Sequence, residues 1–218
     1  AAVYCDFGLE VNETINSNVI NYFNHLTDLV DKEKIKGINN LTPSYNKLII
    51  SFDLSLTNFS NLKEIIQNLN ITKNIKKNNQ KIEIPVCCDD EYGLDFNRLS
   101  KKLNLFKDEI LKFFFEKEYF CYMTGFIAGM PFLGDLNEKI RCDRLETPRV
   151  KVPKGSVGIT EQFSNIYTFE SPGGWNIIGN TPKKVFKKSN LKDPTLIKPG
   201  DKISFYQISK KEYLKLND

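Results

Sequence analysis

The sequence predicts an α+β protein in two parts. A small N-terminal α+β domain precedes a larger β domain, a barrel or sandwich with a helical pair on its side. Three observations carry this. First, eight of the twelve glycines fall between Gly125 and Pro182, among short apolar runs broken by Pro131, Pro148, Pro153, Pro172 and Pro182. Glycines and prolines placed so closely describe sharp turns in a packed β domain rather than a linker. Second, apolar residues at helical spacing occur only upstream of this stretch. Third, the lysine-rich polar segment Thr72–Gln80 reads as a connection between domains, which puts the boundary between residues 1–78 and 79–218.

Taken in order, Val3–Phe7 alternates and predicts a strand. Ile15, Val19, Phe23, Leu26 and Val30 make an apolar stripe, so Asn16–Val30 is an amphipathic helix. Ile35–Leu41 and Lys47–Asp53 are strands around the turn T-P-S-Y-N. Asn61 with Glu64 three residues on predicts a capping box, and Leu62, Ile65, Ile66 and Leu69 give that helix its apolar face. Lys81–Val86 is a strand, placed at a sheet edge because Pro85 lacks a donor. Phe96, Leu99 and Leu103, then Ile110, Leu111 and Phe114, mark two short helices. Strands are expected at Glu118–Thr124, Asn165–Glu170, Trp175–Ile178, Lys184–Phe186 and Lys202–Ile208, with a type II turn at Pro199-Gly200.

Composition excludes several classes. The chain is 40% hydrophobic and 27% charged, which is globular, and its net charge of +4 is too mild to imply nucleic acid. The helical pair resembles a DNA-reading unit only in outline, since its second helix, K-D-E-I-L-K-F-F-F-E, carries acids where bases would be read. No run of eighteen apolar residues exists and no basic leader is visible, so a cytoplasmic chain without membrane contact is expected. Five scattered cysteines and a single histidine, His25, predict reduced thiols and no metal site.

No phosphate-binding G-x-x-x-x-G-K-[ST], no G-x-G-x-x-G and no G-x-S-x-G occurs. The remaining chemistry sits in the glycine-rich stretch. Arg149 offers a bidentate fork for carboxylate or phosphate, with Lys151 and Lys154 close in sequence. Ser156 follows Gly155, and Ser171 precedes Pro172-Gly173-Gly174. The consecutive amides of Gly173 and Gly174 are candidates for an anion-binding nest. The bland reading pairs Arg149 with a structural acid, folds the two glycines into a hairpin turn and buries Trp175 in the core.

These motifs resemble a known family. Gly125–Gly134 reads G-F-I-A-G-M-P-F-L-G, Thr147–Ile159 reads T-P-R-V-K-V-P-K-G-S-V-G-I, and Ser171–Pro182 reads S-P-G-G-W-N-I-I-G-N-T-P. With I-P-V-C at Ile84–Cys87 and P-G-D at Pro199–Asp201, they are similar to the family of the 5-oxoprolinase B subunit and KipI, which includes allophanate hydrolase subunit 1. Departures are Ala128-Gly129-Met130 for P-G-F, Glu161–Asn165 for G-G-Q-T-G, Thr168 for a proline and Asn180 for an arginine.

The resemblance implies a small N-terminal α/β sandwich domain and a C-terminal cyclophilin-like β-barrel. It implies a subunit of an ATP-dependent cyclic-amide hydrolase, inactive alone, with ATP and magnesium as co-substrate and subunits A and C as partners. The expected site comprises Arg149 and Ser156 as catalytic residues. Phe126, Gly129, Pro131, Lys151, Ser171, Gly173, Gly174 and Trp175 are expected to bind substrate or nucleotide. Two alternatives accompany this reading: a KipI-type regulator that inhibits a sensor histidine kinase, and an allophanate hydrolase or urea carboxylase type of subunit.

Overall fold

The computed structural model describes residues 1–69, 71, 81–190 and 193–217. The chain divides into two compact units, Ala1–Asn78 and Asn79–Asp218. The expected connection Thr72–Gln80, and with it the exact boundary, lies outside the described residues.

In the first unit, strands β1 (Ala2–Asp6), β2 (Ile38–Pro43) and β3 (Lys47–Phe52) form an antiparallel sheet in the order β1-β3-β2. Along β3, Leu48, Ile50 and Phe52 are buried and alternate with half-buried positions, the period-2 mark of a sheet covered on one face. Helices α1 (Glu13–Asp31) and α2 (Phe59–Gln67) cover that face with Val19, Leu26 and Leu62. Asn12 caps α1 by accepting from the Ile15 N–H at 2.9 Å. Inside the helix, the buried Asn16 donates to the carbonyls of Ser44 and Tyr45 and pins α1 to the β2–β3 turn. The cap of α2 is Asn58, which accepts from the Asn61 N–H at 2.9 Å, so Asn61 lies inside the helix rather than at its start.

The second unit is a closed seven-stranded barrel. Its strands are β4 (Ile82–Cys87), β5 (Glu118–Thr124), β6 (Pro131–Gly134), β8 (Ser156–Thr160), β9 (Phe163–Ile166), β11 (Asn176–Asn180) and β12 (Lys202–Ile208). They close in the order β11-β4-β12-β5-β6-β9-β8. Every neighbouring pair is antiparallel except β12 with β4. Pro85 therefore lies within a barrel and not at an edge. It is tolerated because β4 meets β11 only at Cys87↔Asn180, beyond the proline, so no ladder bond on that flank needs its missing N–H.

Helices α3 (Phe96–Leu103) and α4 (Lys107–Phe115) pack on this core through Leu99, Ile110 and Phe114. Phe114 stacks near Tyr119 and Phe205, and the Tyr119 hydroxyl donates to the Phe114 carbonyl at 2.8 Å. Burying such a side chain stabilises by about 1.5–3 kcal/mol. Two short strands, β7 (Arg149–Val152) and β10 (Ser171–Gly173), pair outside the barrel ladder. A last helix, α5 (Lys210–Asn217), buries Tyr213. Lys184–Phe186 forms only a bridge, Phe186↔Thr195, instead of the expected strand. The turn at Pro199-Gly200 is as expected: Gly200 has φ +93° and the Asp201 N–H donates to the Lys198 carbonyl at 3.0 Å. No helix among the described residues is long and apolar enough to cross a membrane. All five cysteines are free.

Candidate functional site

Alternation along the barrel strands creates a second face. Val157, Ile159 and Ile166 belong to the main core, so Gly158 and Asn165, one residue off, point the other way. A separate apolar cluster of Met130, Val152, Tyr167 and Ile177 forms on that side, with Ile127 and Phe132 packed against it. Val152 comes from β7, so the β7–β10 pair is seated on this face. The three glycine-rich motifs, each separated from the next in sequence, contribute Met130, Val152 and Ile177 here.

Asp95, at the start of α3, is the hub. Its carboxylate accepts from Arg149 Nη1 at 2.9 Å and Nη2 at 2.7 Å, and from the Ile177 N–H at 2.6 Å. Its own N–H donates to the Ile177 carbonyl at 3.0 Å. One buried carboxylate thus ties α3, β7 and β11 together. The fork of Arg149, expected to bind substrate, is occupied by this acid. Arg149 thus pairs with a buried acid of its own chain, as one of the two readings expects.

Arg98, one turn along α3, fixes the neighbouring loop. It donates to Asn176 Oδ1, to Asp143 Oδ1 at 3.4 Å and to the Arg144 carbonyl at 3.2 Å. Asn176 in turn donates to the carbonyls of Asp143 and Ile159. This network holds Arg144 with its guanidinium carbon 5.9 Å from the Trp175 ring centroid. Lys102 beside Asp143 holds that carboxyl down at about 2. Among the described residues the Arg144 guanidinium has no acidic partner.

Tyr167 sits beneath the β7–β10 pair and is buried. Burial pushes its phenol up, opposed by Asn165, Arg144, the Trp175 N–H and Arg149. Gly173 is required by this ring, since a Cβ there would lie 2.2 Å from the Tyr167 hydroxyl. Asn165 adjoins the phenol, yet neither amide atom completes a hydrogen bond of good geometry among the described residues. The buried Ser171 hydroxyl is likewise unpartnered. Buried polar atoms without partners are uncommon and mark places where water or a ligand group belongs.

The other expected residues divide. Trp175 is 6% exposed and meets Phe132 edge-on at 5.6 Å, so it walls the site more than it lines it. Neither Gly173 nor Gly174 has positive φ, so the alternating backbone of an anion nest is not formed. The Gly174 carbonyl instead accepts from the Leu145 N–H at 2.7 Å. Lys151 is exposed and pairs with Glu170 at 3.3 Å. Phe126 stands out from its loop, 69% exposed at φ +67°. Gly129, at φ +68°, lies against Phe186, and Pro131 is buried at the start of β6. Ser156, expected as a catalytic group, is 1% exposed inside β8. Sequence reading missed Asp95, Arg98, Arg144, Asn165 and Tyr167. Of these, Arg144 lies three residues before the Thr147–Ile159 motif, and Asn165 ends the quoted Glu161–Asn165 segment with Tyr167 two residues on.

The model of the carboxyltransferase domain, subdomains C and D, matches residues 1–197. The chain belongs to this family. Full-length relatives agree. The chain is 30% identical to the B subunit of 5-oxoprolinase from Bacillus subtilis, with 98% of this chain and 92% of that protein covered. It is 37% identical to the B subunit of 5-oxoprolinase from Haemophilus influenzae, over 79% of this chain and 78% of that one. Among solved structures, TTHA0988 superimposes with a TM-score of 0.83 at 26% identity, covering 96% of this chain. This family member spans only 40% of the TTHA0988 chain. The urea amidolyase of Kluyveromyces lactis, with a TM-score of 0.76 at 19% identity, shares the fold over 15% of its own length.

Proposed function

We propose that this chain is the B subunit of an ATP-dependent 5-oxoprolinase, opening 5-oxo-L-proline to L-glutamate together with subunits A and C. The observation that carries the reading is the full-length match to a relative bearing that name, 98% of this chain against 92% of the other. A lactam is a poor electrophile. Phosphorylating its carbonyl oxygen from magnesium-bound ATP would create a leaving group and make ring opening by water feasible.

Within this scheme the chain supplies binding and orientation. Arg144, held over Trp175 and free of acids, is the fork for the carboxylate of 5-oxoproline. Asn165 and Ser171 offer the unpartnered polar atoms that a lactam amide would satisfy. Asp95 and Arg149 hold the three elements in register around them.

The test is reconstitution. The chain is mixed with its cognate subunits A and C, and ATP-dependent glutamate formation is measured. Turnover that needs all three components is expected. A stable three-part complex without turnover on 5-oxoproline would overturn the substrate. Failure to form a complex would favour the KipI-type alternative.

A further inference from the structure

A cavity of about 250 Å³ opens in the barrel unit, and Tyr167 of the site above is one of its walls. Its other walls come from the Lys154–Gly155 turn, the Thr181–Phe186 segment and α5. Three lysines, Lys154, Lys183 and Lys184, line it, and no Asp or Glu does. Lys183 donates to the Glu83 carbonyl at 3.0 Å. Lys154 and Lys184 form no ion pair among the described residues. The inner lining is uncharged and buried, with Thr168 at 2% and Thr181 at 3% exposure.

The walls are fixed before any ligand arrives. Gly155 has φ +82°, and a Cβ there would meet Asn180 Oδ1 and the Thr181 carbonyl at 2.5 Å each. The Thr181 N–H donates to the Gly155 carbonyl at 2.9 Å. Asn180 donates to the Lys154 carbonyl at 2.9 Å and accepts from the Tyr213 hydroxyl at 2.9 Å. The backbone of Lys154 is thereby locked to β11 and, through Tyr213, to α5. Two cations without acidic partners thus stand over a rigid, uncharged floor that includes Thr168 and Thr181.

We propose that this cavity binds the phosphate groups of a small phosphorylated molecule, with Lys154 and Lys184 as the paired cations. Ammonium groups that line one cavity without an acid among its walls favour an anion there, and lysine serves phosphate as a point charge. The volume is below that of pockets enclosing a whole drug-sized ligand, so it suits a charged head group whose remainder projects outward.

The experiment titrates pyrophosphate into the full chain by calorimetry at low and physiological salt. It needs neither partner subunits nor turnover, so its result is independent of the ring-opening reading. Saturable one-site binding is expected, weakened on the order of tenfold or more in the Lys154→Gln/Lys184→Gln double variant. The charge-matched Lys101→Gln/Lys112→Gln variant, altered on α3 and α4, should bind within about twofold of the parent at physiological salt, since neither lysine lines the cavity. Absence of saturable binding at millimolar pyrophosphate would overturn the proposal. So would equal weakening in both double variants, or equal affinity for succinate, a dianion without phosphate. All four lysines are exposed, so folding of the variants is not at issue.

Discussion

Arg149 and Asp95 form a two-point ion pair across 54 residues of sequence, with an exposure of 28% for the arginine side chain and 5% for the carboxylate. Arg149→Ala strands a buried charge that retains only the Ile177 N–H as a strong donor. A loss of about 3 kcal/mol in chemical unfolding is expected. The Asp95→Ala/Arg149→Ala double variant should lose clearly less than the sum of the single changes. Additive losses would show that the pair does not hold the site together.

Arg144 should behave in the opposite way. It is exposed and pairs with no acid among the described residues, so Arg144→Ala should leave unfolding within about 0.5 kcal/mol of the parent. In the reconstituted enzyme it should raise KM for 5-oxoproline roughly tenfold or more, the worth of a charge-assisted pair. An unchanged KM would remove Arg144 from the site.

Gly173→Ala places a methyl group 2.2 Å from the Tyr167 hydroxyl, with ring carbons at 2.8 and 3.0 Å. The overpacking should cost about 1–3 kcal/mol in thermal or chemical unfolding. Adding Tyr167→Phe removes the nearest atom but not the ring, so recovery should be partial. Full tolerance of the alanine would mean that the β7–β10 pair is free to lift from the barrel.

Phe126 holds a left-handed backbone, φ +67°, while its ring is 69% exposed. A non-glycine residue pays about 1–2 kcal/mol for that conformation. Phe126→Gly should therefore raise stability slightly, or leave it unchanged. If the ring is displayed for substrate or partner, the same change should lower turnover. A clear loss of stability would assign Phe126 to packing instead.

Burial pushes the Cys88 thiol up from 9.0 to about 12. The folded state holds this proton more tightly than the unfolded chain does. The stabilisation is therefore complete below pH 9 and is lost as pH rises towards 12. The slope for one proton is about 1.4 kcal/mol per pH unit. Cys88→Ala should lower overall stability and flatten this alkaline decline. Cys121, also raised by burial, should keep part of the alkaline decline in place.

The fold was largely legible because its periodicities are local. β5 and β12 begin and end at the residues expected of them, Glu118–Thr124 and Lys202–Ile208. The misreadings have physical causes. Asn58 and Asn61 are both competent caps, and only the chain direction into α2 selects the first. Pro85 suggests an edge because sequence cannot show that a barrel closes one residue pair beyond it. The site was legible as a neighbourhood, the glycine motifs, but not as chemistry. The acid that claims Arg149 lies on α3, in a segment whose pattern only announces a helix. Tyr167 reads as an apolar strand residue until Gly173 is seen to fit against its hydroxyl.

The single parallel pairing, β12 beside β4, orders events during synthesis. β12 lies between β4 and β5 and supplies the ladder for both, yet it is made more than a hundred residues after β4. Until Lys202–Ile208 leaves the ribosome, β4 and β5 each present a bare edge, an invitation to unwanted pairing. The first unit, whose sheet and helices all come from its own 78 residues, has no such wait. A nascent chain halted before Lys202 should therefore carry a protease-resistant first unit and a protease-sensitive second one.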